Sequence, residues 1–220
     1  MLSSCIDGRE EYWLNADGSG AAEAEYEIPA AAAALKGGDV ALREMIEGWL
    51  ARQPRVRREA CEVATTGDRT RVRVRLAFDS ALQLTELSTP EATAALPASF
   101  RHLAGVFDLR VSGRDVELTR TLSPGKVFFG GLFAPKDEFA GRRLVYTLHL
   151  PVPALESNAT RTTDDGKTLV WDFALADGLK QPLVTRFKAR APLPAWLVAS
   201  GTGLAVILLG VVVTFLRRRK

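Results

Sequence analysis

The chain has 220 residues, and its 29 basic and 26 acidic side chains give a net charge of +3. This length is sufficient for one soluble domain with a buried core. The positive charge comes from residues 217–220, because removing those four leaves 25 basic against 26 acidic side chains. The rest of the chain therefore lacks the basic field that attracts nucleic acid, and we expect no nucleic-acid partner.

The N-terminal residues MLSSCIDG include a tetrapeptide that a lipoprotein signal peptidase accepts, Leu-Ser-Ser followed by Cys5. A secretory leader also needs a basic head and an apolar stretch, and neither precedes Leu2 here. We interpret residues 1–5 as the remnant of such a signal and Cys5 as the lipidated first residue of the mature protein. The alternative is a chance tetrapeptide. The other cysteine, Cys61, is expected to be a small buried hydrophobe.

Residues 10–28 predict a β-hairpin, since two alternating segments flank an Asp-Gly-Ser-Gly turn. Residues 40–52 predict an amphipathic helix with Asp39 as its N-cap. The apolar positions of this helix recur at spacings of three and one: Leu42, Met45, Ile46, Trp49 and Leu50.

Residues 56–64 and 69–78 predict a strand pair, and in the second strand apolar residues alternate with four arginines, Arg69, Arg71, Arg73 and Arg75. Alternate side chains share one face of a strand about 7 Å apart, so these guanidinium groups form a row. We interpret this arginine row as a solvated face paired with acids on neighbouring strands. The candidate partners are Glu59, Glu62, Asp115 and Glu117. The alternative is a contact for anionic head groups or an acidic partner.

Further alternating segments predict the rest of the sheet: a hairpin over 105–121 and strands over 142–150, 167–175 and 183–190. A weaker helical segment lies at 91–103. Together these segments give about eight strands, joined largely by hairpins. We predict an α+β fold, with a mostly antiparallel sheet and the main helix packed on one of its faces.

Residues 123–141 are rich in Gly and in apolar side chains that fit neither a helical nor a strand period. We interpret the segment as a loop that closes the core. The alternative is a lid over an apolar cavity or a loop that dips into a membrane. The candidate cavity or membrane contacts are Trp49, Phe128, Phe129, Leu132, Phe133 and Phe139.

Residues 195–216 form an uncharged run of 22 residues, which as a helix would span roughly 33 Å and cross a bilayer. Trp196 stands at an interfacial position, and the run is followed at once by Arg217, Arg218, Arg219 and Lys220. The positive-inside rule then places the C-terminus in the cytoplasm and residues 6–190 outside, with 191–194 as a Pro-containing linker.

This topology requires export of the N-terminal domain, and export requires a leader. The requirement strengthens the interpretation of Cys5 as a lipidation site. We expect a single-pass protein of the bacterial cytoplasmic membrane with two attachments on the same side of the domain.

The polar residues offer little for catalysis. His102 and His149 stand outside any metal-ligand spacing, and no serine or glycine-rich motif has the context of a nucleophile or a phosphate loop. Turn chemistry accounts for Asp164-Asp165-Gly166, and Asn158 begins a sequon that we interpret as a turn. We expect no enzymatic activity, no metal and no cofactor.

The layout as a whole resembles the LppM-type family of bacterial membrane-anchored lipoproteins. It combines Leu-Ser-Ser-Cys, a sheet-and-helix domain and one terminal apolar segment with an Arg-Arg-Arg-Lys stop. The most specific local similarity is PVPALESNATRTTDDGKTLVWDF at 151–173. The resemblance implies an external α+β domain with an open or cavity-bearing sheet and a role with envelope lipids. It implies no catalytic residues.

Two functions therefore remain open from the sequence, with an enzyme disfavoured. The first is binding of a lipid or another apolar ligand in a cavity of the external domain. The second is docking on another envelope protein through a sheet edge or the arginine row. An apolar cavity of several hundred cubic ångströms would favour the first, and a filled core with an exposed apolar patch would favour the second.

Overall fold

The structure is a computed structural model that describes residues 7–53, 56–81, 89, 105–125 and 141–192. In the N-terminal half, the elements are β1 (Asp7–Leu14), β2 (Gly20–Pro29), α1 (Ala30–Ala34), α2 (Gly38–Leu50), β3 (Val56–Thr66) and β4 (Arg69–Phe78). In the C-terminal half, they are β5 (Val106–Ser112), β6 (Asp115–Leu122), β7 (Arg143–His149), β8 (Ala154–Ser157), β9 (Arg161–Thr163), β10 (Thr168–Ala174), α3 (Leu175–Gly178) and β11 (Leu183–Arg190).

These strands form two sheets. The larger has seven strands in the order β3-β4-β2-β1-β7-β10-β9, and the smaller has four in the order β5-β6-β11-β8. Every pairing is antiparallel except that of β1 with β7, where Tyr12 lies opposite Leu148 in a parallel register. The α+β prediction, the two predicted hairpins and the predicted strand pair are confirmed.

One face of the seven-stranded sheet is apolar, and two different layers cover it. Over β2, β3 and β4 the cover is helix α2, whose Leu42, Ile46 and Leu50 pack with Val63 and Val72 of the sheet. Over β1, β7 and β10 the cover is the four-stranded sheet. The core between the two sheets contains Leu122, Leu144, Leu169, Trp171, Leu183 and Phe187. The sheet–sheet layer is where a cavity forms.

The start of helix α2 differs from its prediction. The helix begins at Gly38, with Gly37 as its N-cap in the left-handed region (φ 93°). Asp39 lies in the first turn instead, and its carboxylate accepts hydrogen bonds from the Thr65 backbone N–H (2.9 Å) and hydroxyl (2.5 Å). The N-cap assignment of Asp39 was therefore wrong, because its side chain ties the helix to β3 rather than capping it.

The prediction of a single sheet of about eight strands also differs from the structure, which has a seven-stranded and a four-stranded sheet. Strand periodicity reveals which residues face a core but not which strands are neighbours, so the division into two sheets was missed. Strands β8 and β9 were missed because they are short and almost wholly exposed, and therefore carry no apolar alternation. Across the described ranges, no helix has the length and hydropathy needed to cross a membrane. The predicted segments at 91–103 and 195–216 lie outside these ranges.

Candidate functional site

A cavity of about 920 Å³ lies between the two sheets. This volume is near the upper end of the roughly 300–1,000 Å³ typical of small-molecule pockets. The seven-stranded sheet contributes Leu14, Tyr146, Leu148 and Trp171, and the four-stranded sheet contributes Phe107, Leu109, Val116, Leu118 and Phe187. The walls are therefore mainly aliphatic and aromatic.

Strand periodicity and register place these side chains together. Glu10 on β1 lies opposite Tyr146 on β7, and Tyr146 lies opposite Trp171 on β10. Directly opposed residues point to the same face of a sheet, so all three side chains project towards the second sheet. Successive inward positions on β1 and β7 then carry Leu14 and Leu148 further along the cavity.

A buried ion pair closes the inner end of the cavity. Glu10 is 4% exposed and Arg120 is 5% exposed. Their contact is bidentate, with Arg120 Nη1 donating to Glu10 Oε2 (2.6 Å) and Nη2 donating to Oε1 (3.1 Å). The hydroxyls of Tyr12 and Tyr26 also donate to the same carboxylate. The pair has no net charge, and both of its charged groups have hydrogen-bond partners.

Aromatic rings enclose the guanidinium of Arg120. Its Cζ lies 5.1 Å from the ring centre of Phe107 and 4.9 Å from that of Tyr146. Tyr26 reaches Glu10 by passing over Gly8, where an added Cβ would lie 2.5 Å from the Tyr26 ring. Gly8 is thus required by this close approach.

The surroundings fix the protonation states of this cluster. Burial alone would raise the pKa of the Glu10 carboxyl, but the charge of Arg120 and the hydrogen bonds from Arg120, Tyr12 and Tyr26 together lower it. Burial and the Glu10 charge raise the pKa of Tyr12, Tyr26 and Tyr146. Glu10 is therefore ionised and the three tyrosines are neutral near neutral pH.

The other end of the cavity is open. The C-terminal ends of β1, β5, β7 and β11 meet there, and the mouth is lined by residues 14–18, Ser80, Ala81, Val111, 150–152 and 190–192. Val111 at this end is 64% exposed, whereas Trp171 further inside is 2% exposed. The cavity thus runs from a neutralised ion pair to solvent at the mouth.

Hydrogen bonds to the backbone hold the rim of the mouth in place. Ala191 N–H donates to Arg114 O (2.7 Å), and Arg114 Nη2 donates to Ala191 O (2.9 Å). On the opposite side, Ala81 N–H donates to Gly18 O (2.7 Å). The chain that follows β11 is therefore fixed to the turn between β5 and β6.

The arginine row lies on the other face of the seven-stranded sheet, away from the cavity. Its ion-pair partners are mainly glutamates of β2, and of the acids named from the sequence, Glu62 lies opposite Arg73 on β3. Arg73 and Arg75 both pair with Glu23 (2.7 and 2.6 Å), and Arg71 pairs with Glu27 (3.0 Å). Arg69 lies 3.7 Å from Asp7. These pairs neutralise much of the charge of the row.

The remaining predicted contacts lie away from the cavity or outside the described residues. Trp49 packs against the core beneath helix α2 and is not among the residues that line the cavity. Cys61 is partly buried in the same region, and burial raises the pKa of its thiol. The positions outside the described ranges are Cys5, Phe128, Phe129, Leu132, Phe133, Phe139, Trp196, Arg217, Arg218, Arg219 and Lys220.

Three polar motifs have structural roles. His149 stacks on Trp13 with ring centres 5.6 Å apart, and its Nε2 lies 2.7 Å from Glu11 Oε1 on the outer face of the sheet. Asp164 and Asp165 form a turn with positive φ angles of 56° and 50°. Asn158 accepts hydrogen bonds from the Trp171 indole and the Arg186 backbone N–H, both at 2.7 Å.

No group of three or more His, Cys, Asp or Glu side chains is arranged to hold a metal ion in the part of the chain that the structure describes. The Glu10 and Arg120 cluster was not identified from the sequence, although a signal exists. Glu10 lies two residues before Tyr12, and Arg120 lies two residues after Leu118. Both residues therefore occupy inward-facing positions of their strands. Two opposite charges at such positions would have indicated a buried ion pair.

Comparison with solved structures identifies a similar fold. The chain is similar to the NMR structure of the folded domain of LppM from Mycobacterium tuberculosis, with a TM-score of 0.55 and 14% sequence identity. The similarity covers 88% of this chain and 94% of that domain. No family model matches the chain, and no curated protein matches it significantly. The fold is thus LppM-like.

Proposed function

We propose that the protein is a membrane-anchored envelope lipoprotein whose external domain binds a lipid or another apolar ligand between its two sheets. The observation that supports this proposal is the 920 Å³ cavity with walls of Leu, Val, Phe and Trp side chains. Removing apolar surface from water contributes about 25 cal/mol per Å², so an apolar ligand gains most from such a site.

The anchoring half of the proposal comes from the sequence. Residues 195–216 would hold the protein in the bacterial cytoplasmic membrane as a single-pass helix, with Arg217 to Lys220 in the cytoplasm. Lipidation at Cys5 would add a second attachment on the outer side. The LppM-like fold of the domain is compatible with this arrangement.

An enzymatic role is disfavoured by the chemistry of the buried cluster. A general acid or base works best when its pKa lies near the working pH. The surroundings lower the pKa of Glu10 and raise those of Tyr12, Tyr26 and Tyr146, so these groups hold their protonation states near neutrality. We therefore propose a non-enzymatic binding role without a cofactor.

Docking on another envelope protein is the less favoured alternative. The arginine row would be its natural contact, but Glu23 and Glu27 already pair with three of the four arginines. An acidic partner would have to displace these intramolecular pairs.

Native mass spectrometry of the full chain, purified in mild detergent, tests the binding function. We expect a bound lipid or apolar molecule on the parent protein and on Val106→Trp, and its loss from Leu109→Trp. Leu109 lines the cavity, whereas Val106 on the same strand is 69% exposed and is not a lining residue.

The two tryptophan variants are matched in size and strand, so they separate filling of the cavity from a general effect of the substitution. Circular dichroism would establish that both retain the fold. An apo mass for the parent protein, or a ligand retained by a folded Leu109→Trp, would contradict binding in this cavity.

A further inference from the structure

The mouth of the cavity and the exit of the chain from the domain coincide. Ala191 and Pro192, the residues that follow β11, are themselves part of the cavity lining. Two hydrogen bonds with Arg114 hold Ala191 at the turn between β5 and β6, beside the exposed Val111. The chain therefore leaves the domain at the rim of the mouth and not at the closed end.

The sequence limits how far this rim can lie from a membrane. Pro192 is three residues from Ala195, the first residue of the uncharged run 195–216. Three residues span at most about 10 Å even when fully extended. If 195–216 crosses the bilayer, the rim of the mouth at Pro192 lies within about 10 Å of its start.

The two ends of the cavity differ in what they offer a ligand. At the inner end, the bidentate contact with Glu10 satisfies the charge of Arg120, so an ionic head group would meet no uncompensated charge there. At the mouth, Asn15, Asp17 and Arg190 are exposed polar residues in contact with water. An amphipathic molecule would thus have its apolar part inside and its polar part at the mouth.

We propose that the cavity takes the acyl chain of a membrane lipid, tail first, directly from the outer leaflet of the bilayer that anchors the protein. This inference rests on the proposed binding function and on the proposed membrane span, and it identifies the ligand class and its route. The acyl chain passes from the bilayer to the cavity across the rim formed by the turns after β1 and β5 and by residues 190–192. The head group remains at the mouth.

Raising the mouth away from the membrane tests the route. The full chain is reconstituted in phosphatidylglycerol–phosphatidylcholine vesicles, with Trp13, Trp49 and Trp196 replaced by Phe so that Trp171 is the single tryptophan. A lysophospholipid with bromine atoms near the end of its tail is added, and quenching of Trp171, which requires contact with the bromine, follows its arrival in the cavity. Six repeats of EAAAK, about 45 Å long when helical, are inserted between Pro192 and Leu193.

We expect the insertion to slow loading by roughly tenfold or more, because the acyl chain must then cross water before it reaches the mouth. The control carries the same six repeats after Lys220, which leaves the height of the mouth unchanged, and its loading rate should equal that of the parent. Equal loading rates for the inserted and control proteins would overturn the membrane route.

Measurements in detergent micelles separate this route from the binding function. There the lipid probe has equal access to every variant, so parent, control and inserted proteins should show the same quenching of Trp171. Absence of quenching for all three in micelles would contradict the binding function itself. Equal quenching in micelles combined with equal loading in vesicles would contradict the membrane route alone.

Discussion

Glu10 and Arg120 are separated by 110 positions in the chain and form the most buried ion pair among the described residues. Removing two charges from water costs several kcal/mol, which a buried pair recovers through close geometry and complete hydrogen bonding. Here the bidentate contact and the two tyrosine hydroxyls provide both. The pair joins the two sheets and gives the cavity a closed, uncharged inner end.

Glu10→Gln should destabilise the protein by about 3–5 kcal/mol, since it leaves the Arg120 charge buried without a counter-charge. Urea unfolding of the full chain in detergent would measure the change. Glu25→Gln provides the matched control, because its carboxylate lies on an exposed face 3.6 Å from Arg71 and should contribute no more than about 1 kcal/mol. Equal effects of the two substitutions would show that Glu10 and Arg120 do not form the buried pair.

Alkaline titration provides a second test, because all three tyrosines of the chain, Tyr12, Tyr26 and Tyr146, belong to this cluster. Their pKa values are raised in the folded state, so the stability from keeping them neutral is complete below about pH 10 and is lost as the pH rises beyond it. Ultraviolet absorbance should show no tyrosinate until the protein unfolds. Tyrosinate that forms near pH 10 while circular dichroism remains native would contradict the buried cluster.

Asn158 connects β10 of one sheet with β11 of the other. Its Oδ1 accepts from the Trp171 indole and from the Arg186 N–H, and its Nδ2 donates to Val184 O (2.8 Å). One side-chain amide therefore links the two sheets through three hydrogen bonds.

Asn158→Ala should lower the free energy of unfolding by about 1–3 kcal/mol, because the indole N–H of Trp171 would stay buried without a partner. Thermal or urea unfolding measures the loss. Asn15→Ala removes one exposed hydrogen bond, to Ser19, and should change the stability by no more than about 0.5 kcal/mol. A loss for Asn158→Ala as small as that for Asn15→Ala would contradict this role.

Individual elements were more predictable than their arrangement. The alternation in 69–78 and the 3,1 spacing in 40–52 identify which residues face a core, because both are local consequences of backbone geometry. The parallel pairing of β1 with β7 is not local, since their sequences are more than 100 residues apart. The cavity depends on that pairing, and no local pattern in the sequence reveals it. Trp49, a candidate lining residue, packs in the cluster under helix α2 and is not among the residues that line this cavity.

The molecule as a whole has a cavity whose closed end is neutralised by charge pairing and whose mouth coincides with the exit of the chain. The proposed class of ligand rests on the apolar walls, and the proposed route rests on the short separation of Pro192 and Ala195 in the sequence. The mouth and the exit of the chain coincide because the C-terminal ends of β1, β5, β7 and β11 all lie at the mouth.

Quenching of Trp171 by brominated lipids would report directly whether an acyl chain enters the cavity, in the full chain where Trp171 is the single tryptophan. Trp171 lines the cavity well inside the mouth. Vesicles would contain phospholipids brominated either near the end of the acyl chain or close to the head group. Tail-first binding predicts strong quenching by bromine at the chain end and weak quenching by bromine near the head group. In the control Leu109→Trp/Trp171→Phe, the single tryptophan fills the cavity itself. Neither brominated lipid should then lower its fluorescence below the value in unbrominated lipid. Fluorescence from Trp171 that neither lipid quenches would contradict the presence of an acyl chain in the cavity.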